Sequence, residues 1–229
     1  MSHPLLAKLA SADPEERCAA CREAAADPAA ALLADALARA LGDREKRVAR
    51  AASDALARIG AERGGVEKVL RAALGDADPT RRYWAAFTAA RLEPPGLRLV
   101  PALVQALAHP DGDVRWSAAR ILVEAGRLHP EVLGVLLGLA GSGEVATTRR
   151  MASHCLRELA PDLPQAAQAL LSATRDPDAG VRRAAYTAMA GLMDPPPAVA
   201  KRLEEALGDA DPAVRRVAQH VLHQLGLAG

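Results

Sequence analysis

An alanine returns about every 33 residues along this 229-residue chain, at Ala20, Ala52, Ala85, Ala118, Ala152, Ala185 and Ala218. The steps are 32, 33, 33, 34, 33 and 33 residues. A unit that short cannot bury a core alone, so it must stack on copies of itself. Three stretches show the unit most clearly: ALGDADPTRRYWAAFTAARL from Ala73, ALAHPDGDVRWSAARILVEAG from Ala106, and ALGDADPAVRRVAQHVLHQLG from Ala206.

Other columns keep the same period. Three residues before the alanine stands an arginine (Arg17, Arg82, Arg115, Arg149, Arg182, Arg215), interrupted only by Ala49 in the second unit. Further upstream come Asp13, Asp78, Asp111, Asp178 and Asp211, followed directly by proline at Pro14, Pro79 and Pro212. Aspartate then proline is a helix start, because the carboxylate caps free N–H groups and a proline at the first position forfeits no hydrogen bond. Gly60, Gly126 and Gly226 read as stops for the same helix.

Each unit is therefore a helix A, an Asp-containing turn and a helix B. The B helices are expected over 14–26, 44–59, 79–92, 112–125, 145–159, 178–192 and 212–225. The A helices are expected over 4–10, 29–41, 65–74, 97–108, 130–140, 163–173 and 197–207. Pro94-Pro95 and Pro195-Pro196-Pro197 punctuate two B-to-A connections. Alanine, the best helix former, dominates, and only Tyr83, Trp84, Phe87, Trp116 and Tyr186 are aromatic. No alternating β-branched pattern suggests strands.

The pattern LGDxDPxVRxxAxxxL resembles the short bacterial HEAT repeats also found in phycobilin lyase subunits. The resemblance covers almost the whole chain, with the first and fifth units most degenerate. It implies an all-α, right-handed α-solenoid of about seven two-helix repeats in one domain, 1–229. In that family A helices line the convex side of the superhelix and B helices the concave side. It implies no single function.

The columns divide into those that serve the fold and those that do not. A central alanine lets helices approach closely, and one arginine beside one turn aspartate per unit suggests a ladder of charge-assisted hydrogen bonds. The next column is different: Cys18, Arg50, Tyr83, Trp116, Arg150, Arg183 and Arg216. One helical turn on lie Arg22, Asp54, Phe87, Arg120, His154, Thr187 and His220. Neither set has the aliphatic character of a core. By the resemblance they face the concave groove, with Tyr83, Phe87 and Trp116 flanked by Arg50, Arg120, Arg150, His154, Arg183 and Arg216. Aromatics and arginines are the types in which binding energy concentrates. Trp84, one position off the column, reads as core volume.

Catalytic chemistry is sparse. Cys18 and Cys21 form a lone C-x-x-C with no second ligand pair, and three cysteines make no disulfide framework. His220 and His223 share a surface without a third ligand and read as polar cover for the last repeat. The chain has no His-Glu dipeptide, so the repeated pairs of HEAT-like di-iron hydroxylases are missing. Alkylpurine-type glycosylases of HEAT-like fold combine groove aromatics with a carboxylate, but Arg120 stands one turn beyond Trp116, leaving Asp54 and Glu124 as acidic candidates. No phosphate-cradling loop or nucleophile elbow occurs.

The net charge is +1, and no run approaches a membrane span or a signal peptide. These features give a cytoplasmic, non-catalytic scaffold without a cofactor, holding a protein partner by an acidic or amphipathic segment. Nucleic-acid binding and a phycobilin-lyase-like role are the alternatives. The oligomeric state is not written in the sequence.

Overall fold

The computed structural model describes residues 3–227. Helices follow one another throughout, and the chain divides into two compact units, the first ending at Ala106 and the second beginning at Leu107. The first contains α1 (Pro4–Leu9), α2 (Pro14–Ala26), α3 (Ala30–Ala40), α4 (Lys46–Arg63), α5 (Glu67–Leu74) and α6 (Pro79–Ala89). A 3-10 turn at Leu97–Leu99 then leads into α7 (Val100–Ala106). The second contains α8 (Gly112–Leu128), α9 (Glu131–Ser142), α10 (Ala146–Leu159), α11 (Pro164–Ala173), α12 (Ala179–Met189), α13 (Pro197–Ala206) and α14 (Pro212–Gln224). The even-numbered helices are the B helices of the repeat.

The alanine column is the centre of the packing. All seven of its members have no exposed surface, so a methyl group sets the spacing between each B helix and its neighbours. Leucines supply the volume around it, for example Leu37 and Leu56 in the first unit and Leu136, Leu170 and Leu203 in the second, each fully buried.

The five aspartates of the turn column all cap helices. Asp13, Asp78, Asp111, Asp178 and Asp211 accept backbone N–H groups of the first turns of α2, α6, α8, α12 and α14 at 2.7–2.9 Å. The bidentate partners of Arg17, Arg149 and Arg182 are different carboxylates, each two residues before the N-cap residue of the next B helix. Arg17 is gripped at both forks by Asp43 (2.6 and 2.9 Å), Arg149 by Asp176 (2.6 and 2.9 Å), and Arg182 by Asp209 (2.8 and 2.8 Å). The division is geometric. A capping carboxylate is committed to its own helix, whereas the earlier one accepts a single N–H from the cap residue and keeps its other face for the preceding repeat.

Each arginine also holds its own turn shut. Its Nη1 donates to the carbonyls six and five residues upstream: Ser11 and Ala12 for Arg17, His109 and Pro110 for Arg115, Asp176 and Pro177 for Arg182. Arg82, Arg115 and Arg215 have no such carboxylate at the fork. Position 109 is His109, and the fork of Arg82 takes the side chain of Gln105 instead. Positions 142 and 143 are Ser142 and Gly143, and Arg115 Nε is buried with no partner.

Two of the three glycine stops are something else. α4 runs through Gly60 to Arg63, and α8 through Gly126 to Leu128. A Cβ at Gly60 would lie 2.7 Å from Val66 Cγ2 and 2.8 Å from Leu92 Cδ1, and one at Gly126 would lie 2.5 Å from Leu159 Cδ2. These glycines give space to the following repeat. Of the three, Gly226 alone, at φ 67° just beyond α14, has the left-handed backbone of a helix stop, and α4 ends instead at Gly64, φ 69°. Gly60→Ala should lower stability by about 1 kcal/mol, since overpacking outweighs the gain in helix propensity. A denaturant midpoint at or above wild type would refute that reading of Gly60.

Candidate functional site

The second unit contains an open cleft of about 600 Å³ lined by α8 and α10. Its wall on α8 is Trp116, Arg120, Glu124 and Arg127, spaced so that they fall along one face of the helix. Its wall on α10 is His154 and Glu158, with Ala119 and Cys155 at the floor. Trp116 is 55% exposed, an unusual position for the largest apolar side chain. It rests on the His154 ring, with centroids 5.0 Å apart and planes inclined at 48°.

His154 is half-buried, and its surroundings oppose a charge. Burial, reinforced by the positive Arg157 and Arg150 and opposed by Glu158, pushes its imidazole down to about 4. At neutral pH it is therefore an uncharged ring supporting Trp116. Below it, the Cys155 thiol points to the Ala119 carbonyl at 3.8 Å and is pushed up to about 12 by burial. Burial pushes the Cys21 thiol up to about 12 as well. Cys18, Cys21 and Cys155 are all buried free thiols. Native protein at pH 8 should therefore resist alkylation by iodoacetamide, all three thiols reacting only after denaturation. Rapid labelling of Cys18 and Cys21 in the folded state would show that this helix face is open. Among the described residues no group of His, Cys, Asp or Glu side chains is placed to hold a metal.

The site residues named from sequence fall in three settings. Arg120, Arg150, His154, Arg183 and Arg216 accompany Trp116 on α8, α10, α12 and α14 of the second unit. Arg120, Arg183 and Arg216 are exposed and Arg150 is partly so. None of these arginines is bonded to a carboxylate, in contrast to the paired Arg149 and Arg182 beside them. Arg50 is exposed on α4 of the first unit. Tyr83 and Phe87 belong to α6 of the first unit, and here the expected open aromatic patch is corrected. Tyr83 is 3% exposed, packed edge-on to Trp84 at 5.2 Å and against Phe87 at 6.0 Å. Its ring is part of a core cluster, because two neighbouring rings on its own helix cover it. Phe87 is partly buried beneath Arg91, whose guanidinium lies 5.8 Å above its ring.

Arg127 and Glu158 were not evident from the sequence columns. Both lie on the cleft-facing stripes of α8 and α10, Arg127 eleven residues beyond Trp116 and Glu158 four beyond His154, so extending each stripe toward the C-terminal end of its helix would have found them. Of the two acidic candidates, Glu124 lines this cleft, whereas Asp54 lies in the first unit and is bonded to Arg91 at 2.7 Å.

No helix among the described residues is long and apolar enough to cross a membrane. A comparison with curated proteins gives no match. A chain in the complex of CpcE and CpcF of phycocyanin lyase from Nostoc sp. PCC7120 is 26% identical, over 67% of this chain and 96% of its own, with a TM-score of 0.47. The Escherichia coli protein YibA is 16% identical over 93% of this chain and 75% of its own, with a TM-score of 0.59. The archaeal HEAT-like repeats protein from Thermococcus onnurineus NA1 is 15% identical over 98% and 97%, with a TM-score of 0.57. These last two share the fold, an all-α solenoid. The family model for HEAT repeats matches residues 66–157 and 146–223, well over half of the sequence. This chain belongs to the HEAT-repeat family.

Proposed function

We propose that the chain is a non-catalytic, cytoplasmic scaffold, acting as a single repeat domain over 1–229, that holds a protein partner without a cofactor. The partner docks on the exposed faces of α8, α10, α12 and α14 through an acidic or amphipathic segment. The observation that carries this reading is Trp116, 55% exposed over the neutral His154 ring at the head of a row of arginines that have no carboxylate of their own. A large ring seated beside guanidinium donors is the arrangement in which truncation costs most at interfaces. Guanidinium groups only donate hydrogen bonds, so the complementary surface must offer acceptors, and carboxylates fit them bidentately.

The test is affinity capture with the wild-type chain and with Trp116→Ala combined with Arg150→Glu, followed by quantitative identification of what is retained. A specific partner should be lost from the double variant while helicity is unchanged. Equal retention by both proteins would remove this face from consideration. Duplex and single-stranded DNA titrations at low salt distinguish the other use of arginines. Strong binding that falls steeply with added salt would make the face a nucleic-acid surface instead.

A further inference from the structure

A second cleft, in the first unit, has the composition of an oxyanion receptor. It is an open space of about 490 Å³ between α2 and α4. One wall is the stripe Glu15, Cys18, Arg22 of α2, and the other is the stripe Arg47, Arg50, Asp54, Arg58 of α4. The floor is small and apolar, with Cys18, Ala51 and Ala55 all buried. Four guanidiniums thus face two carboxylates.

The ion pairs show where the excess charge sits. Arg47 is bonded to Glu15, Arg58 to Glu62 at 2.9 Å, and Asp54 is drawn away by Arg91 at 2.7 Å. Arg22 and Arg50 have no carboxylate and no side-chain hydrogen bond, and both are exposed. They stand on opposite walls over the same floor. The Arg47–Glu15 and Arg58–Glu62 pairs lie to either side of them along the helices, and Asp54, one turn beyond Arg50, is matched by Arg91, which leaves the charges of Arg22 and Arg50 in excess mid-cleft. The only ionisable group in the floor is the Cys18 thiol, whose sulfur faces the Arg47 carbonyl at 3.8 Å.

We propose that the α2/α4 cleft binds a phosphate-type dianion between Arg22 and Arg50. Two guanidiniums match a charge of about −2, and three acceptor oxygens can satisfy forks arriving from two sides. A single carboxylate can neutralise only one of the two. The ligand chemistry is a phosphate monoester, whether free phosphate or a phosphorylated side chain. The site shares no residue with the Trp116 cleft and does not rest on the scaffold reading.

Isothermal titration of the full chain tests it with three probes: inorganic phosphate, an acetyl-Ala-phosphoSer-Ala amide, and the acetyl-Ala-Glu-Ala amide of similar size. Either phosphate probe should bind, and the Glu peptide should bind at least about tenfold more weakly, as a one-charge ligand leaves a guanidinium unmatched. Tighter binding of the phosphopeptide than of inorganic phosphate would identify a phosphorylated side chain as the source. The reverse order would identify free phosphate. Arg22→Gln and Arg50→Gln should each weaken phosphate binding about tenfold or more, with wild-type melting curves because neither arginine has an intramolecular partner. Arg175→Gln, exposed on the second unit and outside both clefts, should leave phosphate binding unchanged. No heat with either phosphate probe, equal affinity for the Glu peptide, or an equal loss in Arg175→Gln would overturn the assignment.

Discussion

Arg149→Ala is expected to destabilise the protein by about 2–3 kcal/mol, because removing one member of a partly buried, bidentate pair strands the other. The carboxylate left behind is that of Asp176, whose side chain is 8% exposed. The same change removes the donor to the Gly143 and Glu144 carbonyls, so the turn before α10 also loses its lock. Arg115→Ala provides the internal comparison. Arg115 holds its own turn in the same way but strands no carboxylate, and its loss should cost only about 1 kcal/mol. Urea denaturation of the two variants decides the matter; similar midpoints would mean that the inter-repeat rung contributes little.

The ladder also sets the acid response. Hydrogen bonds from Arg149 and Arg182 hold the carboxyls of Asp176 and Asp209 below the usual carboxylate range. Groups with lowered folded-state values stabilise the protein above the unfolded value, near 3.8, and that contribution fades as pH falls through the folded value. His154 acts earlier. The unfolded chain takes up its proton near 6.5, while the folded ring waits until about 4, so stability declines as pH drops through that interval.

The second large effect concerns binding. Trp116→Ala should weaken partner binding by about 30-fold or more, the loss typical of a truncated aromatic anchor, with no comparable loss of stability. The asymmetry follows from position: the ring lies mostly in solvent and packs on His154 alone among rings. Its counterpart Tyr83 is buried, so Tyr83→Ala should reduce stability far more than Trp116→Ala does. Binding should also be flat between about pH 5 and 8, since His154 stays neutral throughout that range. An affinity that falls away as pH drops through about 6 would show instead that the ring of the unbound protein takes up its proton there.

The sequence columns disclosed most of the fold because every repeat repeats the same solution. Ala20 and its six counterparts are fully buried, and the capping aspartates cap. Errors arose where one residue type serves two purposes. Aspartates of the D-x-D turn look alike in sequence, yet geometry gives one to its own helix and the other to the preceding repeat's arginine. Glycine likewise marks a helix stop at Gly226 but a close helix approach at Gly60 and Gly126, and only spatial neighbours distinguish them. The candidate site was less legible. Tyr83 and Trp116 occupy equivalent register positions, but the exposure of each depends on its neighbours. Trp84 and Phe87 enclose the first, whereas nothing similar stands beside the second. Such many-body packing has no periodic signature.

The unfilled arginine of α8 has a further consequence. Arg149 and Arg182 tether α10 and α12 to the turns that follow them, but α8 reaches α10 without such a tether. The Trp116 cleft lies along that untethered seam. A ligand gripping both walls would act as a removable brace, and its binding energy would appear directly as added resistance to unfolding. Occupancy of this protein would then be readable as a rise in melting temperature, with the gain centred on the α8–α10 boundary.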